Sequence, residues 1–412
     1  MNNIGQNIKG PAGANVASHP HTRICIIVLD SVGIGAMPDA GEFGDEGTHT
    51  LGNIFKSRGR LNIPNLTKLG IGNICGSNLP PAETPTGAYG RMAEKTKAKD
   101  TTSGHWELAG LIMDKPFPLF HDGFPDSLLI EWLNTAGLPP KWLGNTAASG
   151  TEILTLLGME HMETGAPIVY TSADSVFQVA AHEGVIPLTK LYHLCSTARE
   201  LLTGDYNVGR VIARPFEGKP GSFIRTKNRR DYALPPPRDT ILDALAARGI
   251  NTYGIGKIED IFCNRGVNIK NHTTNNKDGI GATIEALETN GDYRLIFTNL
   301  VDFDMLYGHR NDLEGYAQAL EYFDSRLPEI IRAMKKSDLL FITADHGCDP
   351  STPSTDHSRE YVPVLAYGDG VMPLDLGTRQ TFADLAASVF FALTGENWHT
   401  GDSFYGKLTG VL

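Results

Sequence analysis

The chain has 412 residues, 41% hydrophobic and 20% charged, enough to bury a large core and long enough for about two domains. A formal net charge of −11 gives no basic footprint for nucleic acid, so small anionic substrates must be held by local Lys and Arg clusters. No stretch approaches the roughly 18 apolar residues of a membrane span. The five cysteines, Cys25, Cys75, Cys195, Cys263 and Cys348, form no C-x-x-C pair, which argues against a disulfide framework and for a cytoplasmic location.

Residues 1–22 carry one charged side chain, Lys9, and lack the apolar core of a signal peptide; they read as a disordered N-terminal extension. Arg23–Leu29 is a continuous apolar, β-branched run of the kind buried on both faces of a parallel sheet, and it ends at Asp30. The Gly33-Ile-Gly35 that follows fails as a dinucleotide fingerprint, because the third glycine position holds Pro38. Further on, Lys99-Asp-Thr-Thr-Ser-Gly-His-Trp-Glu107 offers three hydroxyls just before a helical pattern starting at Glu107, whose free backbone N–H groups would favour phosphate. Helix capping by Asp, Thr and Ser is the competing explanation, and spacing does not choose among Thr101, Thr102 and Ser103.

Pro116-Phe-Pro118 and Leu234-Pro-Pro-Pro237 bracket residues 117–233, and stiff segments at both ends predict an inserted α+β cap domain on a two-strand hinge. This region carries Ile168-Val-Tyr-Thr-Ser-Ala-Asp174 and a basic stretch from Arg210 and Arg214 to Arg225 and Arg230. Beyond it, strand-like runs at 252–256, 295–301, 339–343 and 362–367 alternate with helical patterns at 239–248, 313–334 and 381–394, with Pro328 a candidate kink. The alternation implies a doubly wound α/β core over residues 23–116 and 234–412. Ligands of such sheets bind beyond the carboxyl ends of strands, where Asp30, Lys257, Asp304 and Asp345 fall.

The chemistry concentrates at these strand ends. Asp345 and His346 follow one strand, His357 lies eleven residues past His346, and Asp304 with His309 follows another. Carboxylate and imidazole without thiolate suit Mn²⁺, Zn²⁺ or Mg²⁺, and there are more candidates than one ion of four to six ligands needs. Two ions are implied, the arrangement that flanks an in-line phosphoryl displacement. A hydroxyl beside a bound cation would supply the nucleophile.

Several motifs together resemble the bacterial phosphopentomutase family of the alkaline phosphatase superfamily. They are Asp30-Ser-Val-Gly-Ile-Gly, the Lys99–Glu107 segment, Gly150-Thr-Glu-Ile, Tyr170-Thr-Ser-Ala-Asp-Ser175, Gly209-Arg-Val-Ile-Ala-Arg-Pro215, Val301-Asp-Phe-Asp304 with Gly308-His-Arg310, Thr343-Ala-Asp-His-Gly347, and Thr355-Asp-His357. The resemblance implies an alkaline-phosphatase-like core in which Asp304, His309 and His357 hold one Mn²⁺, and Asp30, Asp345, His346 and the Thr101 hydroxyl hold the other. It implies Thr101 as the nucleophile, Asp174 on the sugar hydroxyls, and Arg210, Arg225 and Lys257 on the distal phosphate. The implied reaction interconverts ribose or 2-deoxyribose 1-phosphate and 5-phosphate through a phosphothreonine and a 1,5-bisphosphate. The resemblance further implies a sugar bisphosphate (ribose 1,5- or glucose 1,6-) as primer and a monomeric enzyme acting on small sugar phosphates. A phosphatase or phosphodiesterase on the same metal core is the alternative.

Overall fold

The computed structural model describes residues 21–172 and 175–410, so Asp174 and residues 1–20 lie outside the described residues. The last two residues of the expected extension are anchored rather than loose. His21 is buried, with its ring nitrogens 3.0 Å from the Tyr405 hydroxyl and 3.0 Å from the Asp369 carbonyl.

Among the described residues, fourteen strands form two sheets. In chain order, β1 (Arg23–Leu29) and β2 (Ala88–Met92) belong to the first. The second contains β3 (Leu143–Ala147), β4 (Ile168–Thr171), β5 (Val176–His182), β6 (Arg210–Glu217), β7 (Ile224–Arg225) and β8 (Arg230–Ala233). The chain then returns to the first with β9 (Thr252–Ile255), β10 (Ile269–Asn271), β11 (Leu295–Leu300), β12 (Asp338–Thr343), β13 (Val362–Gly368) and β14 (Asp375–Arg379). The first sheet runs β10-β9-β11-β1-β12-β13-β2-β14.

Strands β10, β9, β11, β1 and β12 are mutually parallel, as the apolar runs of β11, β1 and β12 predict; β10, Ile269-Lys-Asn271, is partly exposed and carries no such run. The half beyond β12 departs from the parallel expectation: β13 is antiparallel to both β12 and β2. The run at 362–367 is buried on both faces, and such a run looks the same whichever way it points. Strand β2 alternates buried and half-buried residues around a central glycine, which is why it gave no strand signal. The helix Leu313–Ala333 runs through Pro328 and buries Tyr316, Leu320, Phe323, Leu327 and Ile330 at helical spacing.

The second sheet has its own apolar clusters, one around Trp132, Phe177 and Leu191 and another around Ile153, Tyr170 and Phe216. The two chain crossings are pinned locally. Phe117 packs edge-on against Trp106 with ring centres 5.6 Å apart, and Leu234 N–H donates to the Gly209 carbonyl at 2.9 Å. Among the described residues, no helix is long and apolar enough to cross a membrane.

At the amino ends of β1 and β12, Arg23 and Asp338 are register partners and form a buried bidentate ion pair at 3.0 and 2.6 Å. The same guanidinium donates to the Ala286, Leu287 and Thr289 carbonyls, which closes the end of the helix Asn276–Glu288. Asp338→Ala would leave a buried guanidinium without its counter-charge, and is expected to cost about 3–5 kcal/mol in urea unfolding. Activity without denaturant should persist, because the change lies at the sheet edge opposite the strand ends that bear Asp30 and Asp345.

Candidate metal centre and substrate cleft

Strands β9, β11, β1 and β12 are consecutive neighbours, so Lys257, Asp304, Asp30 and Asp345 emerge along one edge. Each is turned into place by local backbone. Ser31, directly after Asp30, adopts a left-handed conformation (φ 72°), which costs a residue with a side chain roughly 1–2 kcal/mol. Its return is a donor: Ser31 N–H reaches Asp345 Oδ1 at 3.1 Å, while its hydroxyl lies 3.0 Å from that of Tyr316. After β11 the chain makes a wide helical turn, Phe303–Tyr307, then a tight one, Gly308–Arg310, which brings Asp304 and His309 to the same side. A two-residue bridge between Gly347 and Ser358 folds the following loop back, so the His357 ring stands 4.1 Å from that of His346, centre to centre.

These side chains converge. His346 Nε2 lies 3.3 Å from Asp30 Oδ1 and 3.5 Å from Asp345 Oδ2. His309 Nε2 lies 3.3 Å from Asp304 Oδ2 and 3.1 Å from His357 Nε2, which is 3.2 Å from Asp304 Oδ1. Two groups have all their donor atoms within 4.8 Å of one another: Asp304 with His309 and His357, and Asp304 with Asp30 and His346. Asp304 thus stands between the two halves of the set.

The donors fit divalent cations. His346 Nδ1 donates to the Gly347 carbonyl and His309 Nδ1 to that of Thr355, which leaves each Nε2 lone pair aimed into the cluster. Asp30 Oδ1 and Asp304 Oδ1 are buried acceptors that no conventional hydrogen bond satisfies, a state that is costly unless a cation faces them. The charge balance says the same. Burial opposes protonation of His346, yet Asp345 and Asp30 hold its imidazole well above its ordinary value. Burial and the charge of Asp345 push the Asp30 carboxyl up, whereas for Asp304 the imidazoles of His357 and His309 overcome burial and hold it well below the usual range. The pocket attracts positive charge.

The hydroxyl segment is organised differently from its expectation. The helix begins at Thr101 and ends at Leu108, so Glu107 closes it rather than opening it. Nor are its first N–H groups free: Asp100 accepts those of Thr102 and Ser103 on its side chain and that of Gly104 on its carbonyl. Asp100 also takes the Ser103 hydroxyl at 2.6 Å, while Thr101 Oγ1 lies 3.2 Å from His346 Nε2. The rest of the motif presses this helix onto the metal side of the sheet. A Cβ at Gly104 would stand 2.2 Å from the Asp345 carbonyl oxygen, and buried Glu107 accepts from Lys95 N, Thr96 N, Thr96 Oγ1, Thr381 Oγ1 and Phe382 N.

Sequence reasoning missed Arg359, which is 1% exposed on its side chain. Its guanidinium binds Asp39 and Glu94 and the carbonyls of Glu94, Thr96 and Ala98, locking the segment before Thr101 to the loop that carries His357. Its only sequence signal is a charge pair, Arg359-Glu360, abutting a wholly apolar strand.

A cavity of about 1210 Å³ joins the cluster to the second sheet. Thr101, Asp304, His309 and His357 line it together with Arg210, Arg225 and Lys257, and Arg214 adds a further cation. Arg210 also stands 3.9 Å from Asp231. Asp174, expected on the sugar, lies outside the described residues.

Residues 22–395 match the family model of the metalloenzyme superfamily. The chain is 56% identical over 388 residues to the phosphopentomutase of Caldanaerobacter subterraneus subsp. tengcongensis, covering 94% of this chain and 98% of that one. It is 55% identical over 388 residues to the phosphopentomutase of Acetivibrio thermocellus, covering 94% and 99%. The chain belongs to the phosphopentomutase family. It is therefore an isomerase of the phosphotransferase kind, and the family membership favours the mutase over a phosphatase on the same core.

The shared position of Asp304 generates a test. Asp304→Asn is expected to weaken divalent-cation uptake, measured by Mn²⁺ titration calorimetry, by more than the roughly 10–100-fold that loss of an outer partner of a ligand costs. The rise in melting temperature that the cation gives the native protein should shrink in parallel.

Proposed function

We propose that the enzyme interconverts the 1- and 5-phosphates of ribose or 2-deoxyribose by way of a phosphothreonine at Thr101. What supports this reading is the placement of Thr101 Oγ1, 3.2 Å from His346 Nε2, in a cavity that is also lined by Arg210 and Arg225 of the second sheet and by Lys257 beyond β9. The threonine hydroxyl would meet one end of the sugar phosphate, and the second-sheet arginines the other.

Asp304, His309 and His357 would hold one ion, and Asp30, Asp345, His346 and the Thr101 hydroxyl the second. Bound there, two Mn²⁺, with Zn²⁺ or Mg²⁺ as substitutes, supply charge neutralisation at the phosphoryl group and lower the pKa of the threonine hydroxyl. The residues do the rest. A sugar hydroxyl oxygen attacks the phosphorus of phospho-Thr101, the bond from phosphorus to Thr101 Oγ breaks, and the net proton passes from the sugar hydroxyl to Thr101 Oγ. The product is the 1,5-bisphosphate. Turned end for end, it gives its other phosphate back to Thr101 by the same exchange, releasing the isomeric monophosphate. A bisphosphate primer, ribose 1,5- or glucose 1,6-, loads Thr101 initially.

Arg210 and Arg225 suit the distal phosphate because a planar guanidinium matches two phosphate oxygens at once, and Lys257 adds a point charge. Asp174 is assigned to the sugar hydroxyls. The cavity exceeds the roughly 300–1,000 Å³ of ordinary small-molecule sites, which leaves room for the bisphosphate to turn. The cap domain of residues 117–233, hinged at its two proline-rich ends, would then close to keep water from the phosphothreonine. We place the enzyme in the cytoplasm as a monomer; all five cysteines are free.

A ribose 1-phosphate to 5-phosphate assay with Mn²⁺ and bisphosphate primer tests the assignment. Thr101→Ala should fall to background and carry no phosphate from labelled primer, whereas full activity in that variant would refute the nucleophile. Chelation of divalent cations should abolish turnover in the wild type, and added Mn²⁺ should restore it. Release of inorganic phosphate from ribose 5-phosphate in place of isomerisation would favour the hydrolase reading.

A further inference from the structure

Strand β11 is buried throughout, yet its fifth residue is Asn299, 1% exposed. A buried amide is costly unless it is used. Its Nδ2 donates to Asp30 Oδ2 at 2.9 Å and lies 3.3 Å from His105 Nε2. His105 is fully buried one turn after Thr101, with Nδ1 2.9 Å from the Thr101 carbonyl oxygen and 3.0 Å from Asp345 Oδ2. A carbonyl oxygen can only accept, so Nδ1 carries the hydrogen and Nε2 presents its lone pair to the Asn299 amide. Phe297, two residues earlier on the same face of β11, stacks on the imidazole with ring centres 6.0 Å apart and planes 28° apart, which fixes the ring.

We propose that His105 and Asn299 form a positioning tether: one chain of contacts from the Thr101 backbone through His105 and Asn299 to Asp30, with Asp345 alongside. The tether joins four separate pieces of the fold, the Thr101–Leu108 helix, β11, the β1 end and the β12 end. It also decides which oxygen does what. Asn299 ties back Asp30 Oδ2 and leaves Asp30 Oδ1 facing the cluster, while Ser31 N–H occupies Asp345 Oδ1 and His105 Nδ1 stands 3.0 Å from Oδ2. Each turnover uses Thr101 twice, once as leaving group and once as nucleophile, so its oxygen must return to the same place relative to both carboxylates. Misplacing a reacting atom by about 1 Å is enough to cost on the order of 100-fold. Neither residue reaches the cavity; their effect is exerted through Asp30, Asp345 and Thr101.

The inference rests on the proposed reading of Thr101 and its cation ligands, and the experiment separates the two. Asn299→Leu removes the amide, with Asn299→Ala as the milder change should the larger side chain disturb folding. His105→Asn keeps a donor near the Nδ1 position and removes the Nε2 acceptor. In Mn²⁺ titration calorimetry the wild type is expected to take up two ions, and the Asn299 variants should weaken one by about 10–100-fold while the other stays within about twofold. In the same variants kcat should fall by a comparable factor with KM nearly unchanged, and phosphate loaded on Thr101 by primer, read by intact mass, should fall with it. Because both side chains belong to one chain of contacts, His105→Asn combined with Asn299→Leu should be no worse than the poorer single variant. Wild-type affinity at both ion sites in a folded Asn299 variant, or losses that add in the double variant, overturns the tether. A wild type that takes up no divalent cation, or a Thr101→Ala variant that remains fully active, overturns the functional reading instead.

Discussion

Mutual repulsion among Asp30, Asp304 and Asp345 governs this molecule more than any single attractive contact does. They leave neighbouring strands β1, β11 and β12, and all three are buried. Two such charges about 4 Å apart repel by roughly 4 kcal/mol at an effective dielectric constant near 20, so the fold holds them together only by supplying compensation. Three imidazoles, a left-handed Ser31 N–H and the Asn299 amide supply part of that compensation, and the donor set fits divalent cations for the rest. The geometry of this edge follows from keeping like charges close, with Asp30 Oδ2 and Asp345 Oδ1 hydrogen-bonded and Asp30 Oδ1 and Asp304 Oδ1 turned into the cluster.

Around that edge the protein is built in two mechanical grades. On the sheet side, Gly104, Glu107 and Arg359 restrain the Thr101 segment, through the close approach of Gly104 to Asp345 and the hydrogen bonds of Glu107 and Arg359 to the backbone around residues 94–98. On the other side, Arg210, Arg214 and Arg225, which line the cavity, stand on β6 and β7, in a sheet with separate apolar clusters. On the proposed reading, a rigid seat for the Thr101 oxygen combined with separately packed arginines for the far phosphate suits a reaction in which the substrate must reverse and the enzyme must not.

Much of this could be read from the sequence, for definable reasons. Strands β1, β9, β11 and β12 announced themselves because burial on both faces demands an unbroken apolar run, and the residues ending them then fell on one edge by topology alone. His346 and His357 were visible as a cluster, but the Gly347 to Ser358 bridge that brings them ring to ring was not, since two backbone hydrogen bonds leave no compositional trace. The helix at Thr101 was placed too late because its opening residues are poor helix formers and good caps; Asp100 resolves the ambiguity by capping, and so consumes the N–H groups that seemed available for phosphate. The direction of β13 was illegible in principle, whereas Asn299 could have been flagged as the one amide in an apolar strand.

The Arg23–Asp338 pair has a consequence for how such an enzyme can change. It sits at the amino ends of β1 and β12, while Asp30 and Asp345 sit at the carboxyl ends, a full strand of about 20 Å away. A contact that bears on stability alone therefore lies on the rim opposite the clustered carboxylates, with the buried apolar residues of β1 and β12 between them. Lineages adapting to heat or cold, and protein engineers, can rework the first rim without disturbing the second, where stability and cation binding are coupled.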